Sequence, residues 1–260
     1  VDIEAATERG ILVANVPDYC QEEVANHAMA LILACNRKLV PVVEAVRQGA
    51  WDTPEKPNIR YNIMPPLPRL SGQVLGIVGL GRIGQSLVPR AKAFGMGVIA
   101  FDPFVPDATM EQMGVEKADM DSLLRESDYI SLHTALTSQN RGMIGMEELQ
   151  KMKPTAYLIN TARGSLINES DLVQALKDGV LAGAALDVTD PEPPPPDSPL
   201  LQLDCLILTA HTAQYSNEAV VDLRQGVEEN VFSVLRGHLP PGLLNLQAKD
   251  TYLERWPRST

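Results

Sequence analysis

Aromatic residues make up only 5% of this 260-residue chain, too few for the stacking platforms on which proteins lay nucleobases. Basic residues are the minority, 22 against 33 acidic ones, and the net charge is -11. A chain so acidic lacks the positive field that a nucleic-acid partner needs. No apolar run is long enough to span a bilayer, and no basic segment leading into an apolar stretch opens the chain. Cysteines are three, Cys20, Cys35 and Cys205, widely spaced. An odd, scattered set is neither a disulfide framework nor a zinc site, and it suits a reducing, cytoplasmic compartment. Apolar residues, by contrast, reach 45% with 21% charged, enough for a sizeable packed core.

The chain opens on Val1-Asp2-Ile3-Glu4, which reads as a short helix capped at Asp2 and stopped at Gly10. Ile11 to Val16 then reads as a buried strand ended by Pro17. A lone strand needs a sheet, so a preceding segment is expected to be missing. From Glu22 to about Gly49 the pattern is helical, apolar on most sides, and expected to break or kink at Pro41. Residues 50 to 72 carry Pro54, Pro57, Pro65, Pro66 and Pro68 and read as an extended connection. After Gly72 short apolar runs alternate with helical segments. Val74–Val78, Val98–Phe101, Tyr129–Leu132, Ala156–Ile159, Ala184–Leu186 and Cys205–Leu208 predict six strands. Such alternation argues an α/β fold with a doubly wound parallel sheet. Six prolines between Pro191 and Pro199 predict an extended surface loop.

Gly79-Leu80-Gly81-Arg82-Ile83-Gly84 is G-x-G-x-x-G, placed where a strand hands over to a helix, the context that makes it a dinucleotide fingerprint. Gly79 permits the tight turn, Gly81 lets a pyrophosphate approach the backbone, and Gly84 lets helix pack on strand. Asp102 closes the next strand. A carboxylate there accepts from ribose hydroxyls and repels a 2′-phosphate, which predicts NAD over NADP. The bland alternative is a structural glycine turn with a coincidental acid. Ligands of open parallel sheets bind beyond the carboxyl ends of the strands. Arg163, Asp187 and His211 each follow a strand, and Glu192 stands in the proline-rich loop after Asp187. Arginine is a planar fork suited to a carboxylate, and histidine is the natural proton donor near neutral pH. A glutamate bonded to that histidine would hold its tautomer and favour its charged form. Singly, each has a plain reading: a surface ion pair, a solvated loop acid, a cap. His27 reads as a satisfied core or interface histidine, His133 as shaping the loop after its strand, and His238 as capping the final helix.

Together, the glycine fingerprint, Asn160-Thr161-Ala162-Arg163-Gly164, Gly183-Ala184-Ala185-Leu186-Asp187-Val188, Pro191-Glu192-Pro193 and Thr209-Ala210-His211 resemble the D-isomer-specific 2-hydroxyacid dehydrogenases. Within them the chain looks closest to phosphoglycerate-dehydrogenase-like and C-terminal-binding-protein-like members. The resemblance implies a Rossmann NAD-binding domain with a partial flavodoxin-like substrate domain. It makes residues 1–17 a remnant of the substrate domain, 18–214 the NAD-binding domain with its dimerisation helix, and 215–260 a C-terminal helix and tail returning to the substrate domain. It implies that Arg163 holds the substrate carboxylate and keto oxygen, that His211 is the acid/base and that Glu192 tunes it. Asp187 would meet the nicotinamide carboxamide. Arg82, Ile83, Pro103, Thr134, Ala135, Thr161, Ala162, His211 and Ala213 would also line the cofactor. The implied partners are a small 2-keto or 2-hydroxy acid and a second copy of the chain. The implied activity is hydride transfer between NAD(H) and that acid. The alternative is an NAD(H)-sensing corepressor-like module with little turnover. Two positions depart from the pattern: Ala210 stands where proline is usual, and Gln214 where some corepressor-type relatives carry tryptophan.

Overall fold

The computed structural model describes residues 1–53, 59–64 and 67–256. They fall into two compact units, one within residues 21–213 and one of residues 1–20 together with 214–256.

The larger unit is built on one sheet. Its strands are β1 (Val74–Val78), β2 (Gly97–Phe101), β3 (Glu116–Lys117), β4 (Tyr129–Leu132), β5 (Tyr157–Asn160), β6 (Gly183–Leu186) and β7 (Leu206–Leu208). The order is β3-β2-β1-β4-β5-β6-β7, every pair parallel. The strand order therefore reverses between β1 and β4, which opens a crevice at their carboxyl ends. The central strands are apolar throughout because both faces are covered. On one face the helices Gln21–Asn36 and Arg82–Ala93 bury Ala28, Ile32, Leu87 and Ala91 against Leu75 and Ile77. On the other, Leu124, Leu149 and Leu172 pack on Ile130 and Leu158. Each such leucine or isoleucine contributes about 1.5–3 kcal/mol by leaving water. Burial also pushes the Cys35 thiol up to about 12 and raises that of Cys205, so neither is a ready thiolate.

Three expectations are corrected here. The sheet has seven strands, not six. β3 is two exposed residues, Glu116 and Lys117, paired to Ile99 and Ala100, with no apolar run to announce it. The long helix breaks at Lys38, which adopts φ 50, not at Pro41. The next helix starts at Leu39, so Pro41 lies in its first turn, where a missing N–H costs nothing. The connection after residue 50 contains a helical turn, Ile59–Asn62. Pro54, Pro57, Pro65 and Pro66 lie outside the described residues.

In the smaller unit Asp2 caps the helix Ile3–Glu8, its Oδ1 accepting from Ala5 N at 2.9 Å. Gly10 turns the chain at φ 63. Residues 11–16 are not a strand: they make one bridge, Ala14 to Leu243, and Ile11 stands exposed. The buried side chain of Asn245 holds them instead. It accepts from Val13 N at 2.8 Å and donates to Ile11 O and Thr7 Oγ1, each at 2.9 Å. The helix Asn217–Leu235 follows, capped by Ser216. It is not the last, since Lys249–Arg255 is helical too, and His238 bonds back to Ser233 O through its backbone N–H.

Candidate active site

The crevice begins where β1 ends. Gly79 turns at φ 92, and a Cβ there would lie 2.7 Å from Thr134 N and 2.8 Å from His133 C. A Cβ on Gly84 would lie 2.4 Å from Gly79 O. These two glycines are therefore packing requirements, one against the end of β4 and one of helix against turn. Gly81 differs: a Cβ there would meet nothing within 4 Å. It caps the Arg82–Ala93 helix without a side-chain bond to the first-turn amides. Open space beside a helix N-terminus is what a phosphate needs, so the loop fits a dinucleotide pyrophosphate; Arg82 and Ile83 are the first two residues of that helix.

Asp102 sits at the end of β2, followed by the exposed Pro103. Its Oδ2 accepts from Leu80 N at 2.8 Å, and its Oδ1 from Phe104 N at 2.8 Å and Val105 N at 3.2 Å. The sequence reading gave this carboxylate to a ribose alone. It also ties the glycine loop to the following turn, leaving part of its roughly four lone-pair positions for a ligand.

Beyond β4, His133 bonds Ser131 Oγ through Nε2 at 2.8 Å, and burial pushes its pKa down to about 4, so the ring is neutral. Thr134 and Ala135 follow. Asn140, which the sequence did not single out, pins this loop by accepting from Thr137 N at 2.7 Å and donating to Ala135 O at 2.8 Å. Beyond β5, the fully buried Asn160 ties the turn, accepting from Ala162 N at 2.9 Å and donating to Arg163 O at 2.8 Å. Arg163 is thereby turned outward, exposed, with Nη1 on Ala162 O at 2.6 Å. Thr161 Oγ1 is buried without a partner in the protein, a polar atom at the crevice that a ligand could satisfy.

The ends of β6 and β7 carry the remaining groups. His211 stands at φ 52, and its Nδ1 lies 2.6 Å from Glu192 Oε1. The two side chains are 41% and 40% exposed, so the pair is open to a substrate. Glu192 arrives from the proline-rich loop, which is exposed but bends rather than running straight. Behind it Asp190 takes Arg141 and Ser165 at 2.6 and 2.5 Å, and its N–H donates to Glu169 at 2.5 Å. Burial, with the charge of Asp190 a smaller cause, raises the Glu169 carboxyl. Asp187 is buried, and its carboxylate holds the loop of His211. It accepts from Thr209 Oγ1 at 2.5 Å, Thr212 N at 3.0 Å and Ala213 N at 2.9 Å. Its carbonyl accepts from His211 N at 2.8 Å. A cavity of about 620 Å³ opens between Thr189, Glu192, Pro193, Thr209 and His211. The structure thus joins His211, Glu192 and Asp187 directly. Arg163 follows the neighbouring strand β5, and no bond from it to that set is seen. Among the described residues no cluster suits a metal ion and no helix is long and apolar enough to cross a membrane.

Residues 29–213 match the family model of the D-isomer specific 2-hydroxyacid dehydrogenase NAD binding domain. The chain is 41% identical to a glyoxylate reductase of Korarchaeum cryptofilum, covering 94% of this chain and 72% of that protein. It is 42% identical to a D-3-phosphoglycerate dehydrogenase of Methanocaldococcus jannaschii, covering 95% of this chain and 45% of the other. A solved structure of a Thermus thermophilus protein superposes with TM-score 0.84 at 38% identity, covering 94% and 75% of the two chains.

Proposed function

Because this chain belongs to the D-isomer specific 2-hydroxyacid dehydrogenases, NAD-binding oxidoreductases, we propose that it interconverts a short 2-keto acid and the D-2-hydroxy acid, with His211 as proton donor and acceptor. The observation that carries this is the contact of His211 Nδ1 with Glu192 Oε1 at 2.6 Å. With Nδ1 engaged there, Nε2 is the nitrogen left for the substrate oxygen. Glu192 fixes that orientation.

NADH, when bound, supplies the hydride. Arg163, exposed at the end of β5, takes the substrate carboxylate in its planar fork and orients the carbonyl. His211 gives its proton to the carbonyl oxygen in the reduction and recovers it in the oxidation, a contribution of about 10²–10⁴-fold. Gly81 and the first turn of the helix behind it receive the pyrophosphate, and Asp102 the ribose. Thr134, Ala135, Thr161, Ala162 and Ala213 line the space between them. A module that only sensed NAD(H) has no use for an acid/base pair held in contact, which favours turnover.

The unit of residues 1–20 and 214–256 belongs, on this reading, to the substrate lobe. Exposed Val227, Val231 and Leu235 on its long helix support further packing there. A homodimer fits the exposed Leu39 and Val43 on the Leu39–Arg47 helix, which packs against Gln21–Asn36, and the scattered cysteines fit a cytoplasmic setting. The test is NADH oxidation with glyoxylate, pyruvate and hydroxypyruvate, followed by chiral analysis of the lactate and glycerate formed from the last two. Absence of turnover with every 2-keto acid, or an L-product, would sink the reading.

A further inference from the structure

His27 projects from the Gln21–Asn36 helix, 160 positions before Asp187, and nothing in the mechanism above uses it. Its Nε2 lies 3.1 Å from Thr209 Oγ1 and 3.7 Å from Asp187 Oδ1. Its side chain is 24% exposed, that of Asp187 not at all.

The hydrogens in this contact can be assigned by counting donors. An ionised carboxylate only accepts, so the single hydroxyl hydrogen of Thr209 goes to Asp187 Oδ1 at 2.5 Å. Toward His27 the same oxygen must then accept, so Nε2 of His27 carries a hydrogen and donates it. A directed chain results: His27 N–H to Thr209 O, Thr209 O–H to Asp187. The same carboxylate receives the amides of Thr212 and Ala213. Those two amides follow His211 directly and fix the turn in which it holds φ 52, a backbone state that a non-glycine residue keeps only when its surroundings impose it.

We propose that His27 is a positioning residue for His211, acting through the Thr209 hydroxyl and the Asp187 carboxylate. Its N–H polarises the hydroxyl and stops it rotating away, so Asp187 keeps its third hydrogen bond and the loop keeps one geometry. The chain is part-buried and ends on a fully buried carboxylate, where linked hydrogen bonds reinforce one another. This rests on the assignment of His211 as proton donor, and its test is arranged so that the two can fail separately.

The variants, in the full polypeptide, are His27→Phe, which keeps the ring's bulk without a donor, His27→Gln, which restores an N–H, Thr209→Val, and the double variant His27→Phe/Thr209→Val. The readouts are kcat and KM for keto-acid reduction, NADH affinity, and the amide resonances of Thr212 and Ala213. His27→Phe is expected to lower kcat about tenfold, the scale of one charge-linked hydrogen bond, with NADH affinity held and both amides shifted. His27→Gln should recover most of the loss, and the double variant should be no slower than Thr209→Val alone, because the two act on one chain. Wild-type kcat with unshifted amides in His27→Phe would overturn the proposal, as would a His27→Gln no better than His27→Phe. If His27→Phe does not fold, Thr209→Val decides, since unchanged kcat and amides there also overturn it. If the wild type reduces no keto acid, the functional reading fails, and the amide shifts alone still decide the hydrogen-bond chain.

Discussion

The three glycines of the fingerprint should fail in two different ways when each is replaced by alanine. At Gly79 the added methyl would meet backbone, Thr134 N at 2.7 Å and His133 O at 2.9 Å, from a backbone at φ 92. Neither obstacle can rotate aside. Overpacking costs about 1–3 kcal/mol and the left-handed conformation about 1–2 kcal/mol more. A loss of about 3 kcal/mol lowers Tm by roughly 6–12 °C for a domain of this size. Gly84→Ala meets Gly79 O at 2.4 Å and should fall in the same class. Gly81→Ala meets nothing within 4 Å. Alanine is a poorer N-cap than glycine by about 0.5–1 kcal/mol, but it restricts the unfolded chain by about 0.4–1 kcal/mol. The two nearly cancel, so Tm should move by less than about 2 °C. The methyl would instead occupy the approach of the pyrophosphate. An overpacking cost of about 1–3 kcal/mol weakens NADH binding by roughly 5- to 150-fold. Thermal unfolding and fluorescence titration of the three variants measure both effects. Gly81→Ala binding NADH within twofold of wild type would refute the placement of the dinucleotide, and Gly79→Ala with an unchanged Tm would refute the packing argument.

Glu192→Gln should lower kcat by about tenfold while His211→Ala lowers it by about 10²–10⁴-fold, both with NADH affinity retained; steady-state rates beside titration show whether Glu192 is instead a solvated loop acid. Asp102→Ala should relax discrimination against NADPH and also cost about 1–3 kcal/mol of stability, because three amides lose their acceptor; equal NADH and NADPH affinity in the wild type would contradict it. His133 is neutral in the fold because burial holds its pKa near 4 rather than 6.5. The unfolded chain therefore binds the extra proton, and this stability is complete above pH 6.5 and is lost as pH falls toward 4. The full shift corresponds to about 3 kcal/mol, so urea unfolding of His133→Gln should lose correspondingly less across that window than the wild type does.

The alternation of short apolar runs with helical segments determined the parallel sheet, because a strand covered on both faces must be apolar along its whole length. The same local grammar located Gly79, Gly81 and Gly84, the Asp2 cap and the strand ends that bear Asp102, Arg163, Asp187 and His211. Each of these is a statement about neighbours in sequence. What escaped was decided by residues far apart. β3 has no apolar signal because only its backbone takes part, completing the edge beside β2. Ile11 to Val16 has a strand's composition but makes one bridge, Ala14 to Leu243, while the side chain of Asn245 holds Val13 N and Ile11 O. Proline 41 is innocuous because the helix restarts two residues earlier. The sharpest case is the site itself. Sequence put His211 and Glu192 on the same side of the sheet, but only the fold brings them to 2.6 Å. It also turns Asp187 inward to hold the loop and sets His27 beside it. A hydrogen bond between side chains on separate elements leaves no periodicity in the chain. Its partners are chosen by where the packed helices and strands come to rest.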